Sequence, residues 1–340
     1  IPLLQKALAI NPDVKLFGTP WSAPAWMKTS GTMHSNGTLI GAPGGKYYKT
    51  WANYFVKFVQ AYLSHNISLW GVTVQNEPGS GFIANYTWQT MGLTAETERD
   101  FVVSDLGPAL RTAGLGGLKL LALDDQRPAV PKWADTMFSN HTASDYVWGL
   151  AVHWYMDELA PGLALDYAAR NYPNKPILVT EACVGDRPFD VHGPMLGFWP
   201  RAHTYAHKML DNLNHYASAF VDWNLALDLQ GGPNWVNNFV DAPIIVDVKG
   251  KRFLKQPIFY TIAHFSKFII PKSIRLESGF SGQTDSDVEF GTFLRPDGIK
   301  VAVITNDALS SRHVTVVDSE TTNRMTFELP SKSIHTLLWK

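Results

Sequence analysis

Short apolar runs alternate with longer amphipathic stretches over most of the chain, and the run at Leu69–Gly81, LWGVTVQNEPGSG, is the clearest. Five of its first six residues are apolar and two are valines, which reads as a short buried strand rather than an amphipathic helix. The strand stops at Gln75-Asn76-Glu77-Pro78, because Pro78 has no N–H to continue a ladder. The same pattern recurs on both sides. Pro2–Ile10 reads as the end of a helix and Val14–Gly18 as a strand that exits through Thr19-Pro20-Trp21-Ser22. Trp26–Gly45 is rich in Gly, Ser and Thr and reads as loop. Lys46–His65 carries Tyr48, Trp51, Phe55, Phe58 and Tyr62 three or four apart, the spacing of one helical face. Thr94 is a candidate N-cap for a helix running to Gly114, with Glu96 and Glu98 in its positive first turn.

Strands are then expected at Leu118–Leu123, Leu150–His153, Ile177–Thr180 and Ala219–Asp222. They exit on Asp124-Asp125, Trp154-Tyr155, Glu181 and Trp223-Asn224. Helices are expected at Pro131–Ser139, Leu163–Tyr172, Arg201–Tyr216 and, after a long loop, about Gln256–Phe268. Strand-helix alternation of this kind implies an α/β class with a parallel sheet under covering helices. Six such strands can be counted, whereas a closed (β/α)8 barrel needs eight, and the chain opens on a helix tail with no strand before it. The expectation is a TIM barrel lacking its first two strands over residues 1–270. Beyond Pro271 the texture changes to β-rich runs at Ile274–Ser278, Val288–Leu294, Lys300–Asn306, His313–Val317, Met325–Leu329 and Ile334–Trp339. Residues 271–340 therefore read as a C-terminal antiparallel β-sandwich domain.

In α/β barrels the chemistry sits where strands open into loops. Glu77 and Glu181 both end buried strands, and counting from the missing pair they terminate strands four and seven. Two such carboxylates can face each other across a barrel mouth, as a retaining glycosidase requires at about 5–5.5 Å. On the strand pattern alone, a Glu that merely caps the following turn is an equal reading of Glu77.

Composition narrows the classes. The chain is 45% hydrophobic and 17% charged, hence globular and ordered. Its net charge of −1 argues against binding nucleic acid through phosphate contacts. Twelve Trp and twelve Tyr lean mildly toward sugar-stacking surfaces, though large cores use them too. Cys183 is the single cysteine, so no internal disulfide can form, and its place two residues after Glu181 reads as a small buried side chain. Sequons at Asn36, Asn66, Asn85 and Asn140 favour a secretory route and glycosylation. No apolar run is long enough for a transmembrane helix. Starting at Ile1 with neither Met nor signal peptide, the sequence reads as a fragment or a processed piece. Asp124-Asp125 with His153 could suggest a metal, but no Asp-rich calcium or His-Glu zinc spacing accompanies them; no metal and no cofactor is expected. There is no Gly-x-Ser-x-Gly elbow and no phosphate loop.

The motifs VTVQNEP, LALDDQR, AVHWY, TEACVG, DWNLAL, GGPNWVNNFVDAPIIVD and FYTIAHFSKFI, in order along the chain, closely resemble the acid β-glucosidase (glucosylceramidase) type of glycoside hydrolase family 30. The resemblance implies Glu77 as acid/base and Glu181 as nucleophile, cleaving glucosylceramide to glucose and ceramide with retention. It implies Asn76 on the glucose 2-OH, Trp21 and Trp223 shaping the glucose pocket, Tyr155 beside the nucleophile with His153, and Asn238 reaching glucose from the long loop. Tyr86 and Trp88 would line the ceramide side, although the family often has Phe at the latter position. By the same resemblance the setting is the lysosomal lumen, peripheral to a membrane. The partners are glucosylceramide at the membrane surface, a saposin-type activator, anionic phospholipids and a trafficking receptor. Relatives also carry a long segment before the position of Ile1, with the first sandwich strands, two barrel strands, disulfides and a glucose-binding Asp. The alternatives are a family 30 enzyme acting on xylosides or β-1,6-glucans, a fragment inactive without that segment, and a sugar-binding relative without catalysis.

Overall fold

Six parallel strands follow one another in chain order across one sheet: β1 Phe17–Gly18, β2 Gly71–Thr73, β3 Lys119–Gln126, β4 Val147–His153, β5 Ile177–Glu181 and β6 Ala217–Phe220. The computed structural model describes residues 1–187, 189–281 and 284–340. These form two units, Ile1–Glu181 with Tyr216–Val221 and Ala182–His215 with Asp222–Lys340.

The first unit is built on the alternation of strand side chains. Leu120, Ala122, Leu150, Val152, Ile177 and Val179 point to one face and join the main core. Leu121, Ala151 and Leu178 point to the other and pack with Trp70, Trp148 and Ala219. Both faces are buried, which is why these strands read as continuous apolar runs. The helices of this unit are α1 Pro2–Ile10, α2 Lys46–Leu63, α3 Ala95–Phe101, α4 Gly107–Thr112, α5 Val130–Phe138, α6 His141–Tyr146 and α7 Leu163–Asn171. In α2 the buried positions are Tyr48, Trp51, Ala52, Phe55, Val56 and Val59, the apolar face of a 3.6-residue period. Thr94 caps α3, its Oγ1 accepting the Thr97 N–H at 3.2 Å. The single helix expected to Gly114 is interrupted by a π-helical turn at Val102–Leu106. The six-residue α6 was not anticipated, being too short to show a period.

The ladder is not regular where it approaches the strand exits. The β3–β4 register shifts between Leu123 and Asp125, and the β4–β5 register shifts between Val152 and His153, so that His153 faces Glu181. Such bulges turn side chains away from the plain in-out alternation.

In the second unit, α8 Trp199–Asn214 and α9 Pro257–Ser266 accompany three sheets. The long loop expected before α9 contains a small sheet, β7 Ala226–Asp228, β8 Ile244–Asp247 and β9 Arg252–Lys255. Strands β10 Ile274–Leu276, β11 Val288–Leu294, β12 Lys300–Asn306 and β15 Ser333–Trp339 form an antiparallel sheet, and β13 Arg312–Val317 pairs with β14 Arg324–Leu329. Val288, Ala302, Ile304 and Leu329 close a core with Val314, Phe327 and Trp339, which makes the two sheets a sandwich. No helix among the described residues is long and apolar enough to cross a membrane.

Candidate active site

Glu77 lies just beyond β2, where Pro78 ends the ladder. Its backbone adopts φ 41°, and its N–H donates to the Asp124 carbonyl at 2.8 Å. Leu123 and Asp124 also have positive φ, 76° and 51°. A non-glycine residue held there costs on the order of 1–3 kcal/mol, and such residues cluster at functional sites. The Glu77 carboxylate receives three groups: the Gln126 amide at 3.0 Å and the His153 Nδ1 at 3.1 Å on Oε1, and the Tyr86 hydroxyl at 3.1 Å on Oε2. Ser80 donates to the Glu77 carbonyl at 2.7 Å and fixes the turn.

His153, at the end of β4, is 1% exposed. Its Nε2 lies 3.2 Å from Asp124 Oδ1, which also accepts the Thr180 hydroxyl at 2.7 Å. Burial alone would lower this imidazolium, but Glu181, Asp124 and Glu77 outweigh it and hold it well above the ordinary histidine range. With carboxylates beside both ring nitrogens, His153 sits at the centre of an acidic cluster that favours its charged form. Glu181, the last residue of β5, accepts the Tyr155 hydroxyl at 3.0 Å. Its carboxyl is pushed up to about 7, first by desolvation and then by the charges of Glu77 and Asp124, against the pull of His153 and Tyr155. Tyr86 is raised well above the ordinary phenol by burial and by the Glu77 charge.

Glu77, His153 and Glu181 each offer an atom within 4.8 Å of the others. The spacing is one that could hold a metal ion; within the protein the same groups are joined by hydrogen bonds, the His153 ring lying between the Glu77 and Asp124 carboxylates. Glu77 and Glu181 thus bring two carboxylate oxygens within 4.8 Å of each other beside His153.

The other expected residues fall as follows. Asn76 is buried, its N–H donates to the Pro20 carbonyl, and its Oδ1 has no hydrogen-bond partner. Trp21 and Trp88 meet edge to face at 5.3 Å, and Gln75 donates to the Trp21 carbonyl at 2.8 Å. Thus Trp21, Asn76, Glu77, Tyr86, Trp88, His153, Tyr155 and Glu181 all belong to the first unit. Trp223 and Asn238 belong to the second, where the Trp223 N–H donates to the Ala182 carbonyl and the Asn238 N–H to Asn234 Oδ1. Asn36, Asn66 and Asn85 are exposed, and Asn140 caps α6 through its Oδ1. Sequence reasoning missed Gln126 and Thr180 and weighed Asp124 only as a metal ligand. The one available signal was their place in LALDDQR and at the end of β5.

Comparison with known proteins places this geometry in a family. Residues 1–269 match the glycosyl hydrolase family 30 TIM-barrel domain, and residues 272–337 match the glycosyl hydrolase family 30 beta sandwich domain. The lysosomal acid glucosylceramidase of Mus musculus is 45% identical over 342 residues, an alignment covering 100% of this chain and 65% of that protein. The chain therefore spans just under two thirds of that relative's length. The crystal structure of SrfJ from Salmonella typhimurium superposes with a TM-score of 0.87 at 31% identity, covering 100% of this chain and 72% of that one. The endo-β-1,6-glucanase BT3312 superposes with a TM-score of 0.82 at 28% identity, covering 99% and 74%. Both domain types, in this order and over nearly the whole length, make the chain a member of glycosyl hydrolase family 30.

Proposed function

We propose that this chain carries the catalytic machinery of a retaining β-glucosidase that hydrolyses glucosylceramide to glucose and ceramide. The observation that carries the reading is the pair Glu77 and Glu181, with oxygens within 4.8 Å of each other beside a buried, doubly hydrogen-bonded His153. Glu181 attacks the anomeric carbon, and Glu77 protonates the departing oxygen and then activates water. His153 neutralises part of the charge that two close carboxylates would otherwise accumulate. Tyr155 holds the attacking carboxylate by its hydroxyl. Asn76, next to Glu77 at the strand exit, meets the glucose 2-OH, a contact that strengthens in the transition state. Trp21 borders the glucose, and Tyr86 and Trp88 border the aglycone. Residues 1–270 serve as the catalytic barrel domain and residues 271–340 as the sandwich domain.

The rise of the Glu181 carboxyl to about 7 would, taken alone, favour the reverse roles. Chemical rescue of Glu77→Gln and Glu181→Gln is the measurement that separates the roles. The lumen of the lysosome, a membrane-surface substrate, a saposin-type activator, anionic phospholipids and a trafficking receptor belong to the same proposal. Their support is the name of the mouse relative and the accessible sequons.

The likeness to BT3312 supports a second reading, hydrolysis of β-1,6-glucan. One assay series separates them: a fluorogenic β-glucoside, glucosylceramide in mixed micelles, a β-1,6-glucan and an aryl xyloside, with the product anomer followed by NMR. Release of β-glucose first from the glucoside and the lipid supports the proposal. Preference for the glucan moves it to the second reading. No hydrolysis, or α-glucose as the first product, overturns it.

A further inference from the structure

We infer that Glu98, in α3 and buried behind the sheet, is a positioning residue for both handles on Glu77. The inference rests on the catalytic reading above. Glu98 stands in the first turn of α3 and is 0% exposed. Its two oxygens are used separately: Oε1 accepts the Leu123 N–H at 3.1 Å, and Oε2 accepts the Trp133 indole N–H at 2.8 Å.

The Leu123 N–H is where the β3–β4 register breaks, and Leu123 and Asp124 there share left-handed φ values. Nothing in a regular ladder would hold two such residues in sequence. The Glu98 carboxylate takes the place of a strand neighbour and pins the bulge from behind. Asp124, the next residue, then acts on Glu77 twice. Its carbonyl accepts the Glu77 N–H at 2.8 Å, and its Oδ1 meets His153 Nε2 at 3.2 Å while His153 Nδ1 meets Glu77 Oε1 at 3.1 Å. Backbone and side chain of Glu77 are therefore both referenced to the residue whose conformation Glu98 fixes. Burial raises the Glu98 carboxyl to about 7, which is the cost of placing this group where a neutral side chain would pack more easily.

The test compares Glu98→Leu, Glu98→Gln and the pair Glu98→Gln with Trp133→Phe, in the whole protein. Leu removes both acceptors. Gln alone sets an amide donor against one of the two N–H groups, and Trp133→Phe removes that mismatch. Two readouts are taken: kcat and KM on an aryl β-glucoside, and the NMR titration of the His153 ring, assigned by its loss in His153→Gln. The titratable groups around that ring include Glu77, Asp124, Asp125, Glu181 and Tyr155. Glu98→Leu is expected to lower kcat by about tenfold to a hundredfold with little change in KM, as for a misplacement of the order of 1 Å. The His153 titration should fall toward its ordinary range. Glu98→Gln should move both readouts the same way, and the double variant should recover most of the change. If Glu98→Leu does not fold, the Gln single and double variants carry the comparison. Variants that fold and leave the His153 titration where it is overturn the inference, whether or not kcat changes. A parent enzyme that hydrolyses no β-glucoside overturns the proposed function instead, while the His153 titration still tests Glu98.

Discussion

Glu77 and Glu181 differ in what surrounds them, and that difference gives the first prediction. Glu181→Gln should abolish turnover, since it removes the attacking carboxylate. Glu77→Gln should keep glycosylation by substrates with good leaving groups, because an activated aryl glucoside needs no proton. Azide should then restore turnover with a β-configured product only in the Glu77 variant. Rescue of the Glu181 variant to a β-azide would reverse the roles. Both glutamates were legible in the sequence, because a buried apolar run that ends on a carboxylate is a local pattern. Gln126, Thr180 and the role of Asp124 were not. They meet Glu77 and His153 through bulges in the ladder, and a one-residue slip leaves no mark on the apolar alternation.

At the scale of elements, the loop that carries Tyr86 and Trp88 depends on one buried cation. Lys28 is 2% exposed, and its Nζ donates to the Met33 carbonyl at 3.2 Å and the Thr90 carbonyl at 2.5 Å. Lys28→Met would leave two carbonyls without that donor, at about 1–3 kcal/mol for a buried group. The expected result is a Tm lower by several degrees and a raised KM for aryl glucosides, with kcat affected less. An unchanged KM would show that the loop is held by other contacts, such as Ser80 with Thr90 at 2.6 Å. A smaller effect is expected at Thr94→Ala, which removes the cap of α3: about 1 kcal/mol, visible as a lower Tm. Elements long enough to show a period were placed by the sequence to within a few residues, among them α2, α7, β11 and β12. Strands β7 to β9 were missed, since runs of three or four residues between turns have no period to read.

At four buried or half-buried carboxyls the titrations are displaced upward. Burial first, with neighbouring charge, raises Glu98 and Glu181 to about 7, Asp125 to about 6 and Asp222 to about 8. Each of these carboxyls binds its proton more tightly in the folded chain, so stability is lost as pH rises from the ordinary carboxylate range to the folded value. His153, also raised, contributes stability at low pH that is lost as pH rises through its folded value. Asp285 and Asp297 shift the other way but titrate below this range, whereas His203, His264 and His335, lowered first by burial, lose stability as pH falls and partly offset the trend. The expected outcome is a Tm several degrees higher at pH 5 than at pH 8, measured by calorimetry in matched ionic strength. A flat or rising Tm would mean that these groups are relaxed by water in solution. Strands β1 and β6 end the parallel sheet, and α1 exposes Leu3 and Ile10. This 340-residue chain is accordingly expected to associate as its concentration rises, which light scattering would detect.

The amino-acid sequence by itself determined the alternation of parallel strands and helices, the change to an antiparallel sandwich after Pro271, and the two glutamates at strand exits. Each is a local matter: period, turn residues, and the end of an apolar run. Only the tertiary structure decided that Glu77 answers to Asp124 and His153, that Glu98 stands behind them, and that Lys28 secures a loop without a carboxylate. Those pairings join residues from separate strands and helices at distances of about one hydrogen bond. Strand register, bulge position and burial set such distances, and all three arise when the elements pack together.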